Sequence, residues 1–163
     1  LLILDVDGVL TDGRITYASD GTEAESFDIK DGHGIKLAQR AGIQVALLSG
    51  RTSEAVIRRA RELGIELVYQ GALRKGETYK QILTDAALGD ADVAYIGDDV
   101  VDIPVLRRVG FPVAVPNAPE EVRREALWVT RTPGGYGAVR ETIELILQAQ
   151  GKWRTVLARY YEP

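Results

Sequence analysis

Two aspartates, Asp5 and Asp7, stand directly behind an apolar run in the opening stretch LLILDVDGVLTDG, and three more, Asp98, Asp99 and Asp102, stand behind another in VAYIGDDVVD. Carboxylates that converge from separate segments repel one another unless a cation lies between them, and an oxygen-rich set of few ligands suits Mg²⁺. A carboxylate can also attack phosphorus to give an acyl phosphate. Asp5 is placed for that attack. Asp7, two residues on and on the same side of an extended chain, is placed to protonate a leaving oxygen and then to activate water. Ser49, in LLSGR, offers a hydroxyl to phosphoryl oxygens, and Lys75 offers a charge to neutralise what develops there.

Such residues act together only if the fold brings them to one edge. Apolar runs recur at Leu1–Val6, Gln44–Leu48, Leu67–Tyr69, Val93–Ile96 and Pro112–Val115, each followed by helical spacing or a cap. Helices are predicted over Ser53–Leu63 with Gly64 as stop, Lys75–Leu88 with Gly89, Pro119–Ala126 opened by Asn117, and Gly137–Gln150. This alternation predicts an α/β fold with a central parallel sheet covered on both faces, whose strand ends present ligand-binding residues at one edge. One segment breaks the rhythm. In RITYASDGTEAESFDIKDG, the Asp20–Gly21 turn joins two alternating runs, Arg14–Ala18 and Glu23–Ile29, predicting a β-hairpin at about residues 14–29 inserted after the first strand. A hairpin of that size cannot form a separate cap domain, so the site stays open unless another subunit closes it. The tail, residues 151–163, carries Trp153, Val156, Leu157, Tyr160 and Tyr161 at helix-like spacing, a stripe that wants a partner surface.

The bulk properties narrow the function. At 163 residues the chain fits one domain spanning 1–163, and it has no cysteine, which excludes disulfides, thiolate metal sites and a cysteine nucleophile. A formal net charge of −4 argues against nucleic acid as partner. No apolar run approaches the roughly 20 residues of a membrane span, so no membrane partner is expected and a cytoplasmic setting is compatible. Asp20 and Asp31 each precede glycine and read as turn residues, and Trp128 reads as core.

The motifs DVDGVLTDG, LLSGR, Lys75 and GDDVVD occur in the order of the haloacid dehalogenase superfamily of phosphohydrolases, which the chain resembles over nearly its whole length. The stretches IKDGHGIKLA, SGRTSEAVIRRARELGI, YQG and GGYGAVRETIELILQAQGKW are most similar to its capless 3-deoxy-D-manno-octulosonate 8-phosphate phosphatases. The resemblance implies a three-layer Rossmann-like fold, Asp5 as nucleophile, Asp7 as acid/base, Ser49 and Lys75 as phosphate binders, and Mg²⁺ held by Asp5, Asp98 and the main-chain carbonyl of Asp7. It implies second-layer roles for Asp99 and Asp102, orienting waters or Lys75. It also implies substrate contacts from Gly8, Gly50, Arg51, Arg59 and His33, and a homotetramer built through the hairpin, with active sites shared between subunits. The expected substrate is a phosphorylated sugar acid, with Arg51 favouring the eight-carbon over the nine-carbon ulosonate. The competing reading is a non-catalytic oligomerisation module, which the filled catalytic positions disfavour. A nucleic-acid or phosphoprotein phosphatase is a further alternative.

Overall fold

The computed structural model of the protein describes residues 1–161. Its centre is a parallel sheet of six strands built around β1 (Leu2–Leu4), the first apolar run. Strand β1 pairs with β4 (Val45–Leu48) on one side and with β6 (Ala94–Gly97) on the other, Leu4 standing opposite Leu47 and Ile96. Beyond them lie β5 (Leu67–Tyr69) at one edge and β7 (Phe111–Ala114) then β8 (Trp128–Val129) at the other. Every residue of β1 and β4 is buried, as expected of central parallel strands covered on both faces.

The chain runs outward from β1 through β4 to β5 and then returns to build β6, β7 and β8 on the opposite side. The carboxyl ends of β1, β4 and β6 therefore border the crevice where strand order reverses, the usual ligand position in such sheets.

Helices flank the sheet: α1 (Ile29–Arg40) packs against α2 (Glu54–Leu63) and α6 (Ala138–Ala149), and α3 (Lys75–Ala86) packs against α4 (Ile103–Leu106). Asp28 caps α1 by accepting the amide N–H groups of Lys30 and Asp31. The predicted helix near Pro119 is shorter, α5 (Glu120–Arg124), and starts from Pro119, with no side-chain cap from Asn117. Among the described residues no helix is long and apolar enough to cross a membrane.

Three expectations need correction. First, β1 ends at Leu4, and the chain beyond Asp5 is not extended: the Val6 carbonyl accepts from the amides of Val9, Leu10 and Thr11, a tight turn closed by local hydrogen bonds. Second, Asp31 is no turn residue. It lies buried in α1, and its carboxylate accepts the N–H groups of Gly137 (3.2 Å) and Arg140 (2.7 Å), capping α6 from across the fold. Third, much of the tail stripe is covered by this chain. Within α7 (Trp153–Leu157), Trp153 and Val156 pack on the core, while Tyr160, whose hydroxyl meets His33 Nε2 at 2.8 Å, and Tyr161 stay exposed. Positions 162 and 163 of the predicted tail lie outside the described residues.

The hairpin insertion forms, but its ladder is short: β2 (Thr16–Tyr17) and β3 (Glu23–Ala24) pair antiparallel, and the segment from Glu25 to Asp28 leads toward α1 instead of continuing the strand. Sequence reading missed β8, because Trp128 and Val129 form a two-residue edge strand defined by its pairing with β7.

Candidate active site

Asp5 sits at the carboxyl end of β1, where the buried strand fixes its backbone and its amide donates to the Ile96 carbonyl. Its side chain is almost wholly buried and bonds Lys75 Nζ at 2.7 Å. Lys75 opens α3 and is itself buried, reaching Asp102 Oδ1 at 2.6 Å and the Tyr95 hydroxyl at 3.4 Å. Burial alone would push the Lys75 ammonium toward neutrality, but the Asp5 and Asp102 charges outweigh it and hold its pKa above the usual lysine value.

Asp102 is fully buried and saturated: Lys75 and the Tyr95 hydroxyl donate to Oδ1, and the amides of Asp98 and Asp99 donate to Oδ2. It thus holds Lys75 in place and folds the acidic loop back under β6. Asp99 faces the cavity while its side chain accepts the Val100 amide.

The carboxylates of Asp5, Asp98 and Asp102 offer oxygens within 4.8 Å of one another, a group that could hold a metal ion. Burial, reinforced by the Asp102 charge, raises the Asp5 pKa well above the carboxylate range; burial raises that of Asp98 to about 6. Two carboxylates destabilised in this way form a hard-oxygen set that a small divalent cation would stabilise. Because Asp102 already takes four donors, Asp5 and Asp98 carry the free acceptor capacity. The Asp7 side chain stays apart from this cluster: it accepts from Ser49 Oγ (3.2 Å) and from Arg51 (2.7 Å).

The turn between Asp5 and Asp12 is shaped for close approach. Gly8, at φ +90°, lies so near Asp98 that an added Cβ would meet Asp98 Oδ2 at 2.0 Å. Behind the turn, a Cβ on Gly134 would stand 1.7 Å from the Gly8 carbonyl oxygen, so the loop before α6 braces this turn backbone to backbone. Thr11 closes the turn, its hydroxyl accepting the amides of Gly8 and Gly13 and donating to Val6.

These groups open on a cavity of about 340 Å³ lined by Asp5, Asp7, Arg51, Lys75, Asp98 and Asp99 together with Gly13, Gly50 and Val101. A hollow of the same volume at the opposite ends of β4 and β5, bordered by Gln39 and Leu67, contains one carboxylate, Glu66, and no convergent charges.

Not every predicted contact residue arrives here. Arg59, on α2, packs its guanidinium against Gly32, the Asp28 carbonyl and the Phe27 ring, and does not line this cavity. His33, on α1, is engaged by Tyr160 and Arg140 beneath the tail. Conversely, two residues the sequence reading passed over take part: Tyr95, whose buried hydroxyl had to find a partner, and Glu25, just after β3, which accepts from Arg51 and Ser53. The strand-like alternation of the hairpin was the one signal for Glu25.

The chain is similar to proteins of known family and structure. Residues 65–142 match the model of the haloacid dehalogenase-like hydrolases. The 3-deoxy-D-manno-octulosonate 8-phosphate phosphatase KdsC of Escherichia coli K12 is 45% identical over 93% of this chain and 81% of its own length. The crystal structure of the Moraxella catarrhalis 3-deoxy-D-manno-octulosonate 8-phosphate phosphatase, in complex with magnesium, phosphate and KDO, superposes with a TM-score of 0.96 at 40% identity, covering 98% of this chain and 91% of that one. The cobalt-bound Haemophilus influenzae phosphatase superposes with a TM-score of 0.91 at 45% identity, over 94% and 90% of the two chains. With its acidic cluster, buried lysine and capless α/β sheet, the chain belongs to the 3-deoxy-D-manno-octulosonate 8-phosphate phosphatase family of haloacid dehalogenase-like hydrolases and is a phosphoric monoester hydrolase.

Proposed function

We propose that this single-domain chain hydrolyses 3-deoxy-D-manno-octulosonate 8-phosphate to KDO and inorganic phosphate, with Mg²⁺ as cofactor, in the cytoplasm and in the service of lipopolysaccharide sugar synthesis. The observation that carries the reading is the buried Asp5–Lys75 pair at 2.7 Å, opening on a cavity that Asp7 and Asp98 share. The activities named for the relatives supply the substrate.

In the reaction, an Asp5 carboxylate oxygen attacks phosphorus, and the bond from phosphorus to the sugar oxygen breaks. Asp7 delivers its proton to that departing oxygen. Asp7 then takes a proton from water as the water oxygen attacks the aspartyl-phosphate, which breaks the bond from phosphorus to Asp5 and releases phosphate. Ser49 donates to phosphoryl oxygens, and Lys75, held by Asp102, offsets their growing charge. Asp5, Asp98 and the Asp7 main-chain carbonyl would hold Mg²⁺, which when bound neutralises the facing carboxylates and the phosphoryl group.

Gly50 and Arg51 are the substrate contacts this chain supplies to its own cavity, while Gly8, packed against Asp98 behind it, lets the turn's backbone approach phosphate. Arg59 and His33 would meet substrate only across a subunit boundary, in a homotetramer assembled through the hairpin. The exposed Tyr17 on the hairpin and Leu73 beside Lys75 support such a contact. Light scattering tests it: a monomeric mass removes the shared site.

Replacing Asp5→Asn should abolish phosphate release from the octulosonate phosphate while circular dichroism stays unchanged. Near-wild-type release by that variant would falsify the mechanism, and faster turnover of a nine-carbon 9-phosphate by the wild type would reassign the substrate.

A further inference from the structure

Glu25 is a buried carboxylate that the phosphoryl-transfer chemistry leaves unused. It comes from the hairpin, yet its side chain is only 1% exposed. Its Oε1 accepts from Arg51 NH1 at 3.1 Å, and its Oε2 accepts from the Ser53 hydroxyl at 3.1 Å. Ser53 is fixed in turn, its amide donating to Gln70 Oε1 at 2.7 Å and its carbonyl accepting from Gln70 Nε2 at 3.4 Å. Arg51 also donates through NH1 to Asp7 Oδ1 at 2.7 Å and through NH2 to Glu23 at 2.5 Å. One guanidinium thus faces three carboxylates, and they are not equivalent. Glu23 is part-exposed and makes a single contact with Arg51, so it is a loose jaw. Glu25 is anchored on both oxygens and inaccessible, so it is the fixed one. Since NH1 is divided between Asp7 and Glu25, the position of Glu25 decides where the guanidinium stands relative to Asp7.

We infer that Glu25 is a positioning residue for substrate selection: it pins Arg51 beside Asp7, so that the guanidinium meets the sugar portion of the substrate where it departs from phosphorus. The inference rests on the proposed sugar-acid substrate, and it makes the hairpin a part of the specificity apparatus of its own chain. Without Glu25 the guanidinium is free to swing toward solvent with Glu23.

The test is a double-mutant cycle. Wild type, Glu25→Gln, Arg51→Ala and the double variant are assayed with Mg²⁺ on 3-deoxy-D-manno-octulosonate 8-phosphate and on p-nitrophenyl phosphate, which has no sugar acid. Glu25→Gln should raise KM for the sugar-acid phosphate by about tenfold with kcat changed far less, and its selectivity over p-nitrophenyl phosphate should fall by a similar factor. With Arg51 absent, Glu25→Gln should add less than about twofold, because the two act as one unit. Equal losses on both substrates, or the same loss with and without Arg51, assign Glu25 a merely structural role and overturn the inference. If Arg51→Ala does not fold, Arg51→Lys serves in the cycle, since it keeps the charge and removes the fork. A wild type that cleaves p-nitrophenyl phosphate but not the octulosonate phosphate overturns the substrate reading alone; the cycle is then read on the phosphorylated sugar it cleaves fastest.

Discussion

Replacing Asp102→Asn tests whether this buried carboxylate holds Lys75 or binds metal. Four donors converge on it: Lys75 Nζ at 2.6 Å, the Tyr95 hydroxyl at 2.6 Å, and the amides of Asp98 and Asp99 at 2.9 and 3.2 Å. An asparagine has one acceptor oxygen, so one pair of donors is left facing an NH₂ group inside the protein. Each orphaned buried donor costs about 1–3 kcal/mol. Removing half of the negative charge around Lys75 acts in the same direction, giving a loss of about 3–5 kcal/mol against a domain's usual 5–15. Urea unfolding at neutral pH with EDTA present isolates this effect, because no metal can contribute. The expected result is a lower midpoint at unchanged slope, together with a fall in kcat from a displaced Lys75. Stability in EDTA within about 0.5 kcal/mol of wild type, combined with a raised Mg²⁺ requirement, would refute the reasoning and make Asp102 a direct ligand.

Two further outcomes follow from the geometry. Gly8→Ala must place a Cβ within 2.0 Å of Asp98 Oδ2 at a φ of +90°, so kcat/KM should drop by about a hundredfold as the turn shifts; retention of near-normal activity in steady-state kinetics would contradict the close approach. Asp31 has its pKa raised from 3.8 to about 6, chiefly by burial, so between those values the folded chain binds a proton that the unfolded chain has released. Stability from this group is therefore greatest at low pH and is lost as pH rises through about 6, an effect on the order of 3 kcal/mol. Chemical unfolding from pH 4 to 7 should show that slope in wild type and a flatter one in Asp31→Asn; identical slopes would assign the pH dependence elsewhere.

Much of the site was legible because it depends on local pattern. Apolar runs ending in acids or in Ser49–Gly50 mark buried parallel strands whose carboxyl ends must lie at one edge, and Lys75 opens a helix directly after the third such strand. That reasoning needs no knowledge of which strand neighbours which, and the pairing of β1 with both β4 and β6 then brings the groups together. Asp7 was placed correctly in the cavity for an incorrect reason, since a hydrogen-bonded turn, and not an extended strand, turns it inward.

Tertiary structure alone decided the partners. Asp31 looks like a turn residue beside a glycine until the start of α6 arrives with two free N–H groups to cap, those of Gly137 and Arg140, 106 and 109 positions later. Glu25 looks like one more charge in an exposed hairpin until its meeting with Arg51, 26 positions on, buries it. Arg59 has the charge for substrate recognition but spends it on Asp28 and Phe27. The sequence by itself determined which residues end the strands, and therefore the chemistry, because burial periodicity is a local property. Which charges face one another depends on contacts between distant segments, and only the folded chain decides whether a carboxylate reacts, caps a helix or holds an arginine in place.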